Sequence, residues 1–192
     1  MQMSLAASVL PVLAAPVVAA EPQDRAAAWG VVAEAASPLA SLFRVEASRL
    51  GLPVWEIHDD ITDLWYRELC LRWKQAPHVL AGVTLSTSLF CLETLARDHQ
   101  MRVWFRAEHH RLRSGEAEHV VLGTSRMVEE ASTLGEDWGV GFARFAAALP
   151  LNESDQVQRR LLTRVSPEST EPGPMVSWII APRTIGRFAE SL

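Results

Sequence analysis

The chain has 192 residues, of which 48% are hydrophobic and 21% charged, with a formal net charge of −5. Such a chain can bury a core of ordinary size, and its acidic balance argues against a nucleic-acid partner, which requires a basic patch. Seven Trp and six Phe stand against one Tyr, a balance that points to aromatic core packing or to a Trp-lined pocket.

The first twenty residues carry no charged side chain, and Leu5 to Ala20 is rich in Ala, Val and Leu. The run ends in Val18-Ala19-Ala20 before Glu21-Pro22, and small residues at those places are what a signal peptidase accepts. The expectation is a signal peptide over 1–20 and a single α/β domain over 21–192, exported to the periplasm or secreted. No Lys or Arg precedes the apolar run, which departs from the usual signal pattern. With two prolines and many alanines the run is a poor membrane span, so no stable span is expected once the signal is removed.

In chain order, Gln23 to Ala36 reads as a helix. Ser37-Pro38 opens a second, with Ser37 as N-cap and Pro38 at the first helical position. Leu39, Leu42, Phe43, Ala47 and Leu50 share one face, and Gly51 with Pro53 ends the helix. Pro53 to Ile57 is a short strand, Asp60 to Lys74 a helix, His78 to Val83 a strand, Thr87 to His99 a helix and Met101 to His109 a strand. This alternation implies same-direction strands joined by helical crossovers. A hairpin follows. A two-residue turn at Ser114-Gly115 would pair Arg113 with Glu116, Arg111 with Glu118 and His110 with His119. Val103, Phe105 and Ala107 would then share a face with Val120 and Leu122. Trp104, Arg106, Glu108 and His110 would form a polar face, which argues against helices on both sides. Ser125 to Ala148 is helical with a break at Gly135, or at Gly139 and Gly141. Arg160 to Val165 and Met175 to Ile180 are strands, and the proline-rich stretch between them is a loop. The expected fold is α/β: two layers, a mixed sheet with a βαβαβ unit followed by a β-hairpin, and N-terminal helices.

Ligands in such sheets bind beyond the carboxyl ends of the parallel strands. That rule selects His58, Asp59 and Asp60 after the first strand, and Thr84, Ser86 and Thr87 after the second, as ligand-binding candidates. After the third come Glu108, His109 and His110, and the return strand adds Glu118 and His119 at the same rim. Glu108, His110 and His119 are the candidate metal ligands, since two imidazoles and a carboxylate suit zinc or iron. Each group also has a plain structural use. Asp59, Asp60 and Ser86 or Thr87 stand where helices need capping, and hairpin-edge histidines are commonly solvated. Cys70 and Cys91 fall at different heights on their helices, which disfavours a disulfide. Neither a Gly-x-Ser-x-Gly elbow nor a glycine-rich phosphate loop is present.

Ala81 to His109, with Leu89-Phe90-Cys91-Leu92-Glu93 and Met101-Arg102-Val103, resembles a stretch of uncharacterised exported bacterial proteins of the twin-arginine-signal type. Val176-Ser177-Trp178-Ile179-Ile180-Ala181-Pro182-Arg183 shares that resemblance. It implies export and assigns no activity, cofactor or catalytic residue.

The leading expectation is a non-catalytic periplasmic accessory or ligand-binding protein, its partner another protein or a small ligand. One alternative is a small metal-assisted enzyme at the carboxyl ends of the strands. The other is a structural subunit of an exported complex that presents the Trp104 face.

Overall fold

The computed structural model describes residues 27–58, 60–135, 137–151, 155–164 and 173–183. The expected signal segment and most of the 166–174 loop lie outside them. The described residues form a mixed seven-stranded sheet of β1 (Gly30–Glu34), β2 (Val54–Ile57), β3 (Leu80–Leu85), β4 (Met101–Arg111), β5 (Glu116–Thr124), β6 (Gln156–Arg164) and β7 (Met175–Pro182), ordered β2-β1-β3-β7-β4-β5-β6, so the α/β class and the mixed sheet are as expected.

The first strand, β1 (Gly30–Glu34), replaces the helix expected over 23–36. It lies between β2 (Val54–Ile57) and β3 (Leu80–Leu85) and pairs parallel with both. All five of its residues are buried, so it lacks the alternation that marks a half-exposed strand. The helix α1 (Pro38–Arg49) follows as expected, its Ser37 Oγ accepting from the Ala40 N–H at 3.0 Å. Between β2 and β3 the chain forms α2 (Thr62–Leu64), a π-helical stretch (Trp65–Leu69) and α3 (Cys70–Gln75) without interruption. The helix α4 (Ser86–Arg97) leads to β4 (Met101–Arg111). The strands β1 to β4 run in one direction, but they are not all neighbours. The last strand, β7 (Met175–Pro182), inserts antiparallel between β3 and β4.

Helices cover both faces of the sheet, which corrects the two-layer expectation. On one face α1, α5 (Ser125–Ala131) and α6 (Trp138–Ala147) bury Phe43, Met127, Trp138 and Phe142 against Val31, Val83, Phe105 and Val121. On the other, the 62–75 helical segment and α4 bury Leu69, Trp73, Leu89 and Leu92 against Val32, Leu80, Val176 and Trp178. Gly82 belongs to that second core. A Cβ on it would lie 2.3 Å from Cζ2 of Trp178, so its lack of a side chain makes room for the indole. The polar face foreseen on β4 does exist at the sheet's far end, where Arg106, Glu108 and His110 stay partly or fully exposed.

Two local irregularities decide which side chains meet. The register of β4 against β7 shifts between Val103 and Phe105. This bulge puts Trp104 and Phe105 in the same core. Trp104 is only 1% exposed and its Nε1 donates to the Pro182 carbonyl at 2.9 Å, so the expected exposed Trp104 surface is corrected to a core anchor. The hairpin to β5 (Glu116–Thr124) closes through a three-residue loop, Arg113 to Gly115. Leu112 N donates to Glu116 O at 2.8 Å, and Gly115 takes a left-handed φ of 87°. Relative to the expected two-residue turn, the pairing slips by one residue. His109 therefore faces His119, and His110 faces Glu118. A one-residue slip exchanges the two faces of a strand.

Candidate functional site

The slipped register buries one imidazole pair beneath α6. The Nδ1 atoms of His109 and His119 lie 2.6 Å apart. The Nε2 of His109 is 2.8 Å from Ser177 Oγ on β7, and the Nε2 of His119 is 2.8 Å from Thr163 Oγ1 on β6 (Gln156–Arg164). Trp138 roofs the pair. Its ring stacks on His119 at 4.3 Å and 12°, and its Nε1 donates to Ser177 Oγ at 3.0 Å. The result is a continuous chain, Thr163–His119–His109–Ser177–Trp138, drawn from four strands and one helix.

Both imidazoles are held neutral at pH 7. Burial pushes the pKa of His109 well below its ordinary 6.5, and the nearby His119 and His110 add to the effect. Burial, then His110, pushes that of His119 down to about 4. Two neutral rings share two N–H protons, and a contact between two Nδ1 atoms requires one of those protons. If His109 holds it, His119 donates from Nε2 to Thr163 and Ser177 donates to His109. If His119 holds it, Thr163 donates to His119 and His109 donates to Ser177. The hydroxyls serve either arrangement, so the chain forms a proton relay with two neutral states.

The Thr163 end of the relay opens on a cavity of about 420 Å³ between α5, α6 and the β5–β6 ribbon. Trp138, Leu161, Thr163, Ser132 and Glu116 are among its walls. The Ser177 end is closed, with Ser177 fully buried. A cavity of this size, with polar and apolar groups sharing its walls, suits a small polar organic ligand. Through the relay, Thr163 can present it with either a hydrogen-bond donor or an acceptor.

The candidates drawn from sequence fall elsewhere. His58 is exposed at the end of β2, and Asp59 lies outside the described residues. Asp60 Oδ1 accepts from Thr62 N at 2.8 Å and Thr62 Oγ1 at 2.6 Å, the capping role, and these bonds lower its pKa. Thr84 is fully buried and accepts from Trp178 Nε1 at 3.0 Å. Ser86 is half-buried with its N–H on Pro174 O, and Thr87 is exposed. Strands β1, β3 and β7 separate β2 from β4. At ~4.8 Å per strand they hold the two ends of the expected rim roughly 19 Å apart. The metal trio is divided too. Glu108 and His110 sit 3.5 Å apart on the open face, while His119 points into the core on the other. Among the described residues no group of three or more His, Cys, Asp or Glu side chains converges on one point, and both cysteines are free.

The site residues that sequence inspection passed over are Thr163, Ser177 and Trp138. Only Trp138 carried a local signal, since a buried indole N–H needs an acceptor. Among the described residues no helix is long and apolar enough to cross a membrane. Comparison with protein-family models, with curated proteins and with solved structures finds no match to this chain.

Proposed function

We propose that this chain is an exported periplasmic or secreted accessory protein that binds a small ligand in the cavity beside Trp138 without turning it over. The observation that carries the proposal is the Thr163 hydroxyl, shared between the cavity wall and a buried neutral imidazole pair. The export part rests on the apolar run ending at Ala20 and on the resemblance to twin-arginine-signal proteins. Intact mass of the chain from the periplasmic fraction of its host tests it, with loss of residues 1–20 as the expected result.

Thermal unfolding with a panel of cavity-sized alcohols, amides and amines tests the binding part. A ligand at a hundred times its dissociation constant stabilises by about 2.7 kcal/mol, a shift of several degrees for a domain of this size. The shift should vanish in Leu161→Trp, which fills the cavity. A panel that moves neither protein defeats the proposal.

One observation favours the alternative of a small enzyme. Thr163, His119 and His109 stand in the order nucleophile, base and orienting group. Hydrolysis of an activated ester that Thr163→Val abolishes would replace the binding reading with this one.

A further inference from the structure

A second cavity, of about 340 Å³, lies at the opposite end of β4 and is lined by Glu93, Arg97, Arg102 and Arg183. Seven residue steps along the strand separate Arg102 from His109, about 23 Å at ~3.3 Å per residue, so this cavity is independent of the one beside Trp138. Its three guanidiniums come from three places: α4, the start of β4 and the residue after β7. Glu93 neutralises Arg97 through an Oε1–Nη2 contact of 2.8 Å. Among the described residues Arg102 and Arg183 have no carboxylate partner, which leaves two positive charges on one concavity.

The Arg102 guanidinium is positioned from below, and Arg183 is anchored through its backbone. The guanidinium of Arg102 stacks over the Trp104 ring, 3.8 Å from its centroid. That ring is itself fixed by the bulge and by its bond to Pro182 O. The backbone N–H of Arg183 donates to Gln100 O at 2.8 Å, which ties the residue after β7 to the turn before β4. A stacked guanidinium keeps its planar fork free for an oxyanion and loses little freedom on binding one. The chain as a whole is acidic, with a net charge of −5, so an anion would be drawn in by these local groups and not by the overall field.

We infer that this cavity is an oxyanion site for a dianionic phosphoryl group, which Arg102 and Arg183 grip with forked, charge-assisted hydrogen bonds. Two guanidiniums with no carboxylate partner among the described residues match a dianion, whereas a monoanion such as acetate leaves one charge unpaired.

The test is calorimetric titration of the chain at pH 7.5 and constant ionic strength with inorganic phosphate, glycerol 3-phosphate and acetate. The expected result is saturable 1:1 binding of phosphate, with acetate weaker by about tenfold or more. Arg102→Ala and Arg183→Ala should each weaken phosphate by about tenfold or more, the loss of one charged hydrogen bond. Arg102→Lys should do nearly as badly, because it keeps the charge and loses the fork and the stack. Arg67→Ala, an exposed guanidinium on the 62–75 helical segment, should leave binding unchanged. Binding of both phosphates supports a site for phosphate esters, and binding of inorganic phosphate alone supports a site for the free ion. No saturable binding, equal binding of acetate, or equal losses in Arg67→Ala and Arg183→Ala would overturn the assignment.

Discussion

Acidification should unfold this protein through its imidazole pair before most of its carboxylates titrate. His119 is 3% exposed, and its pKa falls from 6.5 to about 4 on folding. The unfolded chain therefore binds a proton between those values that the folded chain refuses. Stability is fully present above pH 6.5, declines as pH falls towards 4 and levels off below. The slope reaches about 1.4 kcal/mol per pH unit for one proton, and over this window His119 alone removes about 3 kcal/mol. His109 acts in the same direction, its pKa lowered by the same burial. Guanidinium unfolding curves collected from pH 7.5 to 4 measure the effect. Their comparison with His119→Gln, which keeps a hydrogen-bonding side chain and cannot titrate, isolates it. The variant should lose about one proton's worth of slope between pH 6.5 and 5, where unfolded carboxylates stay ionised. A wild type whose stability is flat from pH 7 to 5, or a variant with an unchanged slope, would refute the argument.

Three other predictions follow from the packing. Gly82→Ala should cost about 1–3 kcal/mol or more in urea unfolding, because its methyl would meet the Trp178 ring and the Val32 carbonyl at 2.9 Å or less; an unchanged midpoint would show that the indole can move aside. Trp104→Ala should destabilise by about 3–5 kcal/mol, whereas a partner-facing tryptophan would leave the free chain's stability nearly unaltered. Glu46 joins α1 to α6 by accepting from Arg49 and from Arg144 at 2.8 Å, and its hydrogen bonds to those two arginines hold its pKa at about 2. Its contribution is present above pH 4.5 and lost as pH falls towards 2, so Glu46→Gln should show a shallower acid transition in that window by circular dichroism.

Much of the fold was legible because its signals are local. Ser37-Pro38 marks the start of α1, since capping is a property of a few adjacent residues; for the break after α5 the sequence offers Gly135 or Gly139 with Gly141, and the structure puts it at Gly135, whose φ is 75°. The alternation of strands and helices from 54 to 111 was readable for the same reason. β1 was missed because a strand buried on both faces has no alternation, and its neighbours in the chain are Ala-rich. The candidate site was only half legible. His109 and His119 were both placed at the strand ends, but they were not recognised as partners.

By itself the sequence determined the element types from α1 onward, the shared direction of β2, β3 and β4, and that Glu108, His109, His110 and His119 flank one hairpin. Only the tertiary structure decided which of them meet. A loop of three residues in place of two, and one extra residue at Trp104, shift pairing by single steps of β4, and each step moves a side chain to the opposite face. The Arg97, Arg102 and Arg183 cluster was hidden for a related reason. These residues are scattered along the chain, and the insertion of β7 beside β4 is what gathers their charges at one end of the sheet.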